Sequence, residues 1–195
     1  MKLFNHITAI ILAGGKSSRM GRDKALIEIG GKPLVEHVID KAGLFTDSVL
    51  IITNQPGFKR FGFPCHQDII ENCGPLGGIY TGLFHSKTKK NLVLSCDIPL
   101  VPDFVLEQLL QNSADEDVLA VRHNQKIEPL CAVYDRRCKN SLKTFLKNIE
   151  LKMQVALQKM NTSFLDLETS EGYHKEWFTN INTPGELKTF EKKLL

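Results

Sequence analysis

A glycine-rich and basic segment, LAGGKSSRMGRDK at residues 12–24, directly follows the apolar run ITAII. Gly14 and Gly15 allow a ligand to approach the backbone closely, because neither residue has a side chain. Consecutive N–H groups in such a turn can form a hollow that binds anions. Four cationic side chains lie in the same segment, namely Lys16, Arg19, Arg22 and Lys24. The segment therefore predicts a site for a polyphosphate, whose charge must be neutralised during phosphoryl or nucleotidyl transfer.

The spacing of these glycines excludes two well-known phosphate-binding loops. The pattern GxxxxGK[ST] requires four residues between its glycines, whereas five separate Gly15 from Gly21, and Arg22 and Asp23 then follow. The dinucleotide-binding pattern GxGxxG is also absent. From these residues alone, a second interpretation stays open, in which 12–24 is a solvated basic turn that ends a strand.

Oxygen-bearing side chains occur at two other places in the chain. Asp97 ends the apolar run NLVLSC, so its carboxylate is expected at the same sheet edge as the glycines. Mg²⁺ prefers such ligands, usually one or two carboxylates together with substrate phosphates. Asn180 and Asn182 alternate in TNINTP and would face one side of an extended segment. Structural roles are the alternative, because Asp97 can begin a turn and Asn182 can cap the last helix.

Segments typical of strands and of helices alternate along the chain, and these elements must position the polar residues. Strands are predicted at 7–13, 48–54, 63–68, 91–97, 117–123, 129–135 and 163–168, the last at a sheet edge. Helices are predicted at 33–45, 74–86, 103–112, 136–148, 151–160 and 184–195. The pattern favours one α/β domain over residues 1–195, with a mostly parallel sheet and helices on both faces. The short connection after 117–123 predicts one antiparallel pair.

Composition excludes several classes of protein. Hydrophobic residues make up 42% of the 195 residues, and the formal net charge is +3, too small to indicate general binding to nucleic acid or membranes. The patterns HExxH and GxSxG are absent, which argues against zinc catalysis and a serine nucleophile. The five cysteines lack CxxC or zinc spacing, and no apolar run reaches membrane-spanning length. We therefore expect reduced thiols in a cytoplasmic protein.

The pattern LAGGxSxRMGxDK resembles the signature of the molybdenum cofactor guanylyltransferases, within the wider family of nucleotide-triphosphate transferases. The matching positions are Leu12, Ala13, Gly14, Gly15, Ser17, Arg19, Met20, Gly21, Asp23 and Lys24. The resemblance continues in the same order through LIEIGGKPLVEHV, GPLGGI (74–79), SCDIPLVP (95–102) and NINTPGEL (180–187), so it covers nearly the whole chain.

This resemblance implies a three-layer, Rossmann-like nucleotidyltransferase fold with a mixed, mostly parallel sheet. The implied reaction transfers GMP from GTP to molybdenum-bound molybdopterin, with Mg²⁺ as cofactor, and forms the guanine dinucleotide cofactor and pyrophosphate. Molybdoenzyme maturation proteins are the implied protein partners. The implied catalytic residues are Arg19, Lys24 and Asp97. The implied nucleotide-binding residues are Leu12, Ala13, Gly14, Gly15, Lys24, Asp68 and Asp97, and the implied metal ligands are Asp97 and Asn182.

Two alternatives remain open. One is a transferase of the same fold that uses CTP or a sugar-phosphate acceptor, although LAGG rather than LAAG favours the guanylyl reaction within this family. The other is a non-catalytic chaperone that binds nucleotide and delivers the cofactor. The GPLGG turn at 74–78 is expected either to pack against a base or ribose, or only to begin a helix that needs a tight backbone contact. Glu128 receives no role from the sequence. For the basic helical region 136–160, contact with the pterin phosphate or a partner enzyme and simple solvation of its lysines are the open alternatives.

Overall fold

Strand β1 (Ile7–Leu12) is buried along its whole length, and a strand hydrogen-bonds to it on each side. The structure is a computed structural model that describes residues 3–14, 24–168, 170 and 172–179. The other strands of its main sheet are β4 (Val49–Ile52), β5 (Cys65–His66), β6 (Lys90–Ser95), β7 (Val118–His123), β8 (Lys126–Asp135) and β9 (Thr162–Asp166). A separate hairpin joins β2 (Glu28–Ile29) to β3 (Lys32–Pro33). The helices are α1 (Leu34–Gly43), α2 (Gly74–His85), α3 (Asp103–Asn112), α4 (Cys138–Lys147) and α5 (Met153–Lys159).

The main sheet has seven strands in the order β5-β4-β1-β6-β8-β7-β9. All neighbours are parallel except β8, which runs antiparallel to both β6 and β7. Leu12 pairs with Ile52 on one side and with Ser95 on the other, so β1, β4 and β6 end at one edge. This edge carries the residues predicted to bind ligand, and the predicted mixed, mostly parallel sheet is confirmed.

Side chains alternate between the two faces of the sheet, and each face is covered by helices. Ala9 and Ile11 belong to the apolar layer under α1 and α3, whereas Ile10 and Leu12 belong to the layer under α2, α4 and α5. A strand that is covered on both faces reads as a continuous apolar run, which is why ITAIIL shows no polar alternation. The predicted three-layer arrangement is confirmed.

Helix α2 lies very close to β1, because glycines face the strand. A Cβ atom on Gly82 would lie 2.4 Å from Ile10 Cγ2, and one on Gly78 would lie 3.1 Å from Leu12 Cδ2. Pro75 occupies the first turn of α2, a position where a missing N–H costs no helical hydrogen bond. The start of the helix is therefore held at the edge that is predicted to bind ligand.

The elements predicted up to residue 168 are present, with bounds that differ by a few residues. The predicted antiparallel pair is β7–β8, and β9 is the predicted edge strand. The β2–β3 hairpin and the short helical turns at Lys24–Leu26, Phe58–Phe61 and Lys175–Phe178 were not predicted. The predicted helix 184–195 lies outside the described residues. Within the described ranges, no helix combines the length and apolarity needed to span a membrane.

Candidate active site

The ammonium group of Lys24 and the carboxylate of Asp97 meet at the edge where β1 and β6 end. Lys24 Nζ lies 3.0 Å from Asp97 Oδ2, and their side chains are 13% and 27% exposed. The Ser95 hydroxyl donates a hydrogen bond to the other carboxylate oxygen, Asp97 Oδ1. Both oxygens of Asp97 are thus engaged, one by a cation and one by a hydroxyl, so the carboxylate is held in one orientation.

A pocket of about 580 Å³ opens beside this ion pair, on the face of the sheet that carries α2. Its walls include Leu12, Gly14, Asn54, Asp68, Gly78 and Ser95. Ser95 both lines the pocket and bonds to Asp97, so it connects the ion pair to the pocket wall. The pocket is large enough for a nucleotide-sized ligand.

Asp68 and Asn54 form a cyclic pair of hydrogen bonds in the pocket wall. Asn54 Nδ2 donates to Asp68 Oδ2 at 2.9 Å, and the Asp68 N–H donates to Asn54 Oδ1 at 2.8 Å. The second carboxylate oxygen, Asp68 Oδ1, is buried and has no hydrogen-bond partner. Burial raises the pKa of Asp68; the bond from Asn54 lowers it, and the charge of Glu71 raises it further. A buried acceptor without a donor is costly, so this oxygen is suited to accept from a ligand.

The backbone at the end of β1 is partly committed to the sheet. The Ala13 N–H donates to the Ile52 carbonyl at 2.9 Å, and the Leu12 carbonyl accepts from the Cys96 N–H at 3.2 Å. The Ala13 side chain is buried in the core, whereas Leu12 lines the pocket beside Gly78. A Cβ on Gly78 would narrow the space between α2 and Leu12, so the glycine keeps this part of the pocket open.

The structure brings together five of the residues that the sequence singled out. Leu12, Gly14 and Asp68 line the pocket, and Asp97 and Lys24 lie beside it. Gly15, Arg19 and Asn182 lie outside the described residues, so their predicted roles remain predictions.

The sequence profile of the family described as "MobA-like NTP transferase domain" matches residues 9–162. The chain belongs to this family. A "Probable molybdenum cofactor guanylyltransferase" of Flavobacterium johnsoniae is 37% identical over 182 residues, which cover 93% of this chain and 94% of the relative. A "Molybdenum cofactor guanylyltransferase" of Vibrio parahaemolyticus is 36% identical, and the match covers 93% of each chain.

Solved structures extend the comparison to the fold. The molybdopterin-guanine dinucleotide biosynthesis protein A of Archaeoglobus fulgidus superposes with a TM-score of 0.81 at 27% identity, covering 100% of this chain and 98% of that chain. A CMP:2-keto-3-deoxy-manno-octonic acid synthetase solved with CTP superposes at 0.75 with 16% identity, over 97% of this chain and 98% of that one. At that identity the second likeness concerns the fold alone.

For this nucleotidyltransferase, the sequence reasoning missed several residues at the site. Asn54 is held by Asp68, Ser95 is bonded to Asp97, and Leu130 contributes to the pocket from β8. Asn54 closes the apolar run SVLIIT in the same way that Asp97 closes NLVLSC. A polar residue directly after a buried parallel strand therefore indicates a candidate site residue, and this pattern could have identified Asn54.

Asp97 is compatible with the predicted magnesium site. The second predicted ligand, Asn182, lies outside the described residues. No cluster of three or more His, Cys, Asp or Glu side chains that could hold a metal occurs among the described residues. Mg²⁺ commonly binds through one or two carboxylates, with waters and substrate phosphates completing its shell. One oriented carboxylate beside the predicted polyphosphate site is compatible with that requirement.

Glu128, which the sequence left without a role, belongs to a hydrogen-bonded chain under the C-terminal segment. His123 Nε2 lies 3.0 Å from Glu128 Oε1, and His123 Nδ1 lies 2.9 Å from the Tyr173 hydroxyl. The His123 ring is buried and stacks on Phe178 at 4.2 Å. Because a carboxylate only accepts, a neutral His123 donates from Nε2 and accepts from Tyr173. Glu128 thus helps to anchor the segment 172–179 to the sheet.

Proposed function

We propose that the chain transfers GMP from GTP to molybdenum-bound molybdopterin, forming the guanine dinucleotide cofactor and pyrophosphate. The relatives that match nearly the whole chain carry the name of this activity. The observation that carries the proposal is the Lys24–Asp97 pair beside a pocket whose wall holds the unpartnered Asp68 oxygen. The arrangement suits a nucleoside triphosphate, with the base at Asp68 and the phosphates at Lys24.

The hydrogen-bonding groups of Asp68 favour guanine over cytosine. The Watson–Crick edge of guanine carries two adjacent donors, the ring N–H and the 2-amino group, and a carboxylate accepts from both. The corresponding edge of cytosine carries two acceptors and one donor. The lone pairs of the two acceptors would face the negatively charged carboxylate. Discrimination of this kind is strong when the mismatch leaves a buried polar group unpaired. The CTP-using alternative is therefore less well supported.

The glycine-rich segment would bind the triphosphate. Backbone N–H groups of Gly14 and Gly15 are proposed to hold the β- and γ-phosphates, with Arg19 and Lys24 offsetting the charge that develops on the leaving pyrophosphate. The terminal phosphate of the acceptor attacks the α-phosphorus in line and releases pyrophosphate, so no covalent enzyme intermediate is needed. Catalysis then consists of positioning and charge neutralisation.

Asp97, with Asn182, would hold Mg²⁺ at this position. The ion, when bound, would supply positive charge to the phosphate oxygens. Lys24 would then exchange its contact with Asp97 for a contact with substrate phosphate, which keeps the local charge balanced. Ser95 holds the carboxylate in place during this exchange.

Release of pyrophosphate in the presence of molybdenum-bound molybdopterin tests the proposal. We expect release with GTP and magnesium, and at most weak release with CTP, ATP or UTP. A thermal-shift series with the four nucleotides should rank GTP first. Stabilisation by GTP without any pyrophosphate release would favour the cofactor-delivering chaperone instead, and preference for CTP would overturn the guanylyl assignment.

A further inference from the structure

Asn72 lines the pocket of about 580 Å³ that the proposed function assigns to the nucleotide, here called the nucleotide pocket. It lies four positions after Asp68, on the loop that joins β5 to α2. Its backbone adopts a φ of +60°, in the left-handed region that residues other than glycine rarely enter. Asparagine tolerates this conformation better than most residues do, and backbone strain of this kind is often found at ligand sites.

The loop around Asn72 is fixed against α2 on both sides of this residue. Before it, the Ile69 N–H donates to Thr81 Oγ1 at 3.0 Å, and Thr81 is fully buried. After it, a Cβ atom on Gly77 would lie only 3.0 Å from Cys73 Cβ, so the loop approaches the helix closely there as well. These contacts hold the Asn72 backbone in place despite its unfavourable φ.

The side chain of Asn72 is not needed for the packing of this loop. Asn72 is exposed, and its carboxamide makes no hydrogen bond to any residue that the structure describes. The carboxamide offers two N–H donors, whereas the ionised carboxylate of Asp68 only accepts. One loop thus brings a free donor and an unpartnered acceptor, Asp68 Oδ1, to the same pocket.

We infer that Asn72 is a further base-binding residue, whose side-chain N–H donates to the 6-oxo group of guanine. This inference rests on the proposed function, because it takes the base to lie at Asp68. When the carboxylate accepts from the ring N–H and the 2-amino group, the neighbouring O6 of guanine still requires a donor, and Asn72 supplies one. Because a carboxamide can also turn its oxygen toward a ligand, discrimination against adenine stays with Asp68.

Equilibrium titration with GTP and 6-thio-GTP tests this contact without the transfer reaction. The analogue keeps the ring N–H and the 2-amino group, but its sulfur is a weaker acceptor than the carbonyl oxygen. We expect the wild type to bind 6-thio-GTP about fivefold more weakly than GTP. Asn72→Gly, which is relaxed at positive φ, should bind the two nucleotides with nearly equal affinity. Its preference for GTP over inosine triphosphate, which depends on Asp68, should persist and shows that the pocket is intact.

Two control variants accompany the titration. Asn124→Gly is the matched control, because Asn124 has a φ of +49° in the turn between β7 and β8 and does not line the nucleotide pocket. Gln55→Ala removes another carboxamide from the lining of that pocket. Both variants should keep the wild-type ratio of GTP affinity to 6-thio-GTP affinity.

The outcomes separate this inference from the proposed function. Equal affinity of the wild type for GTP and 6-thio-GTP, or an unchanged ratio in Asn72→Gly, overturns the role of Asn72. If the wild type also releases pyrophosphate from GTP, the guanylyl reaction still stands. Loss of the ratio in Gln55→Ala instead of Asn72→Gly assigns the donor to Gln55 and overturns the inference. Loss of the ratio in Asn72→Gly, combined with no transfer by the wild type, supports the inference and overturns the reaction.

Discussion

Lys24 Nζ lies 3.0 Å from Asp97 Oδ2, although the two residues are 73 positions apart in the sequence. One belongs to the basic segment that follows β1, and the other follows β6, the parallel neighbour of β1. Because β1 and β6 are parallel neighbours, their carboxyl ends lie at the same edge of the sheet, and so do the polar residues that follow them. This contact joins the two charges that we propose to lie beside the substrate phosphates.

Replacing Lys24 by alanine should reduce the chemical step more than substrate binding. We expect kcat for GMP transfer to fall about 100-fold, because a cation that faces developing charge in a closed site acts mainly on the transition state. The KM for GTP should change less. Steady-state pyrophosphate release checks this prediction.

The Lys41→Ala variant is the matched control for that measurement. Lys41 pairs with Asp103 at 3.1 Å, with side chains that are 27% and 37% exposed, and α1 and α3 carry this pair on the opposite face of the sheet. Its turnover should remain within about twofold of the wild type, because surface ion pairs contribute little. Unchanged turnover and KM in Lys24→Ala would exclude the catalytic role of Lys24.

Asp97→Asn should change the response to magnesium. The amide keeps the shape of the side chain and can still accept from Ser95, but it loses the negative charge that attracts the cation. We expect the magnesium concentration for half-maximal transfer to rise at least about tenfold. Asp103→Asn removes a comparable acid outside the pocket and should leave the magnesium titration unchanged. Identical titrations for Asp97→Asn and the wild type would exclude Asp97 as a ligand.

Asp68→Asn should weaken the preference for a 2-amino group on the base. Inosine triphosphate lacks the 2-amino group of GTP, so the wild type should bind it about tenfold more weakly through loss of one hydrogen bond to a carboxylate. The variant should bind the two nucleotides with nearly equal affinity. Equilibrium titration of both nucleotides on both proteins completes the comparison. If the ratio of the GTP affinity to the inosine triphosphate affinity is the same in Asp68→Asn as in the wild type, the base does not bind at Asp68.

The raised pKa of Asp68 should also give the proposed GTP binding a pH dependence. The ionised carboxylate is the form that accepts from guanine, so affinity should fall as the pH decreases through this pKa. Since burial raises the pKa, and Glu71 raises it further, the loss should begin at a higher pH than for an ordinary aspartate.

Measurements of GTP affinity between about pH 4 and pH 7 should reveal the part of the pH dependence that Asp68 causes. It should be missing in Asp68→Asn, where only the titration of the triphosphate remains. In Glu71→Gln it should begin at a lower pH, because the negative neighbour that raises the pKa is gone. A wild-type curve that coincides with that of Asp68→Asn would contradict the prediction.

The arrangement of the sheet was predictable from the chain because β1, β4 and β6 are apolar runs that end in loops of distinct composition. The sequence predicted that the basic segment and Asp97 share one sheet edge, whereas the contact of Lys24 with Asp97 also depends on β6 lying directly beside β1. The pairing of Asn54 with Asp68 was not predictable, because it depends on the register that sets Ile52 beside His66. A side-chain pair across two loops leaves no periodic pattern in the sequence.

Short elements escaped prediction for a different reason. Strands β2 and β3 have two residues each, too few to display alternation. Gly30 and Gly31 between them adopt φ values of +58° and +76°, as a tight hairpin turn requires. The pair of glycines was thus the one available indication. The contribution of Leu130 from the irregular stretch of β8, where the register jumps from Ala120↔Ala132 to Val121↔Glu128, had no such indication.

Gly82→Ala should destabilise the fold, because it would separate α2 from β1. The new Cβ would lie 2.4 Å from Ile10 Cγ2 and 2.9 Å from Ile10 Cδ1, and Ile10 is fully buried and stiff at its branched Cβ. We expect a loss of about 1–3 kcal/mol in the free energy of unfolding, which is typical of an overpacked core. Thermal and urea denaturation measure this loss.

The Gly43→Ala variant is the control, since a Cβ there would meet nothing within 4 Å at the end of α1. Alanine should leave that helix unchanged or slightly more stable. Helix α2 also carries Gly74 and Gly78 into the nucleotide pocket, so displacement by Gly82→Ala should reduce the thermal shift produced by GTP. If Gly82→Ala proves as stable as Gly43→Ala and binds GTP equally well, the close approach of α2 to β1 does not set the shape of the pocket.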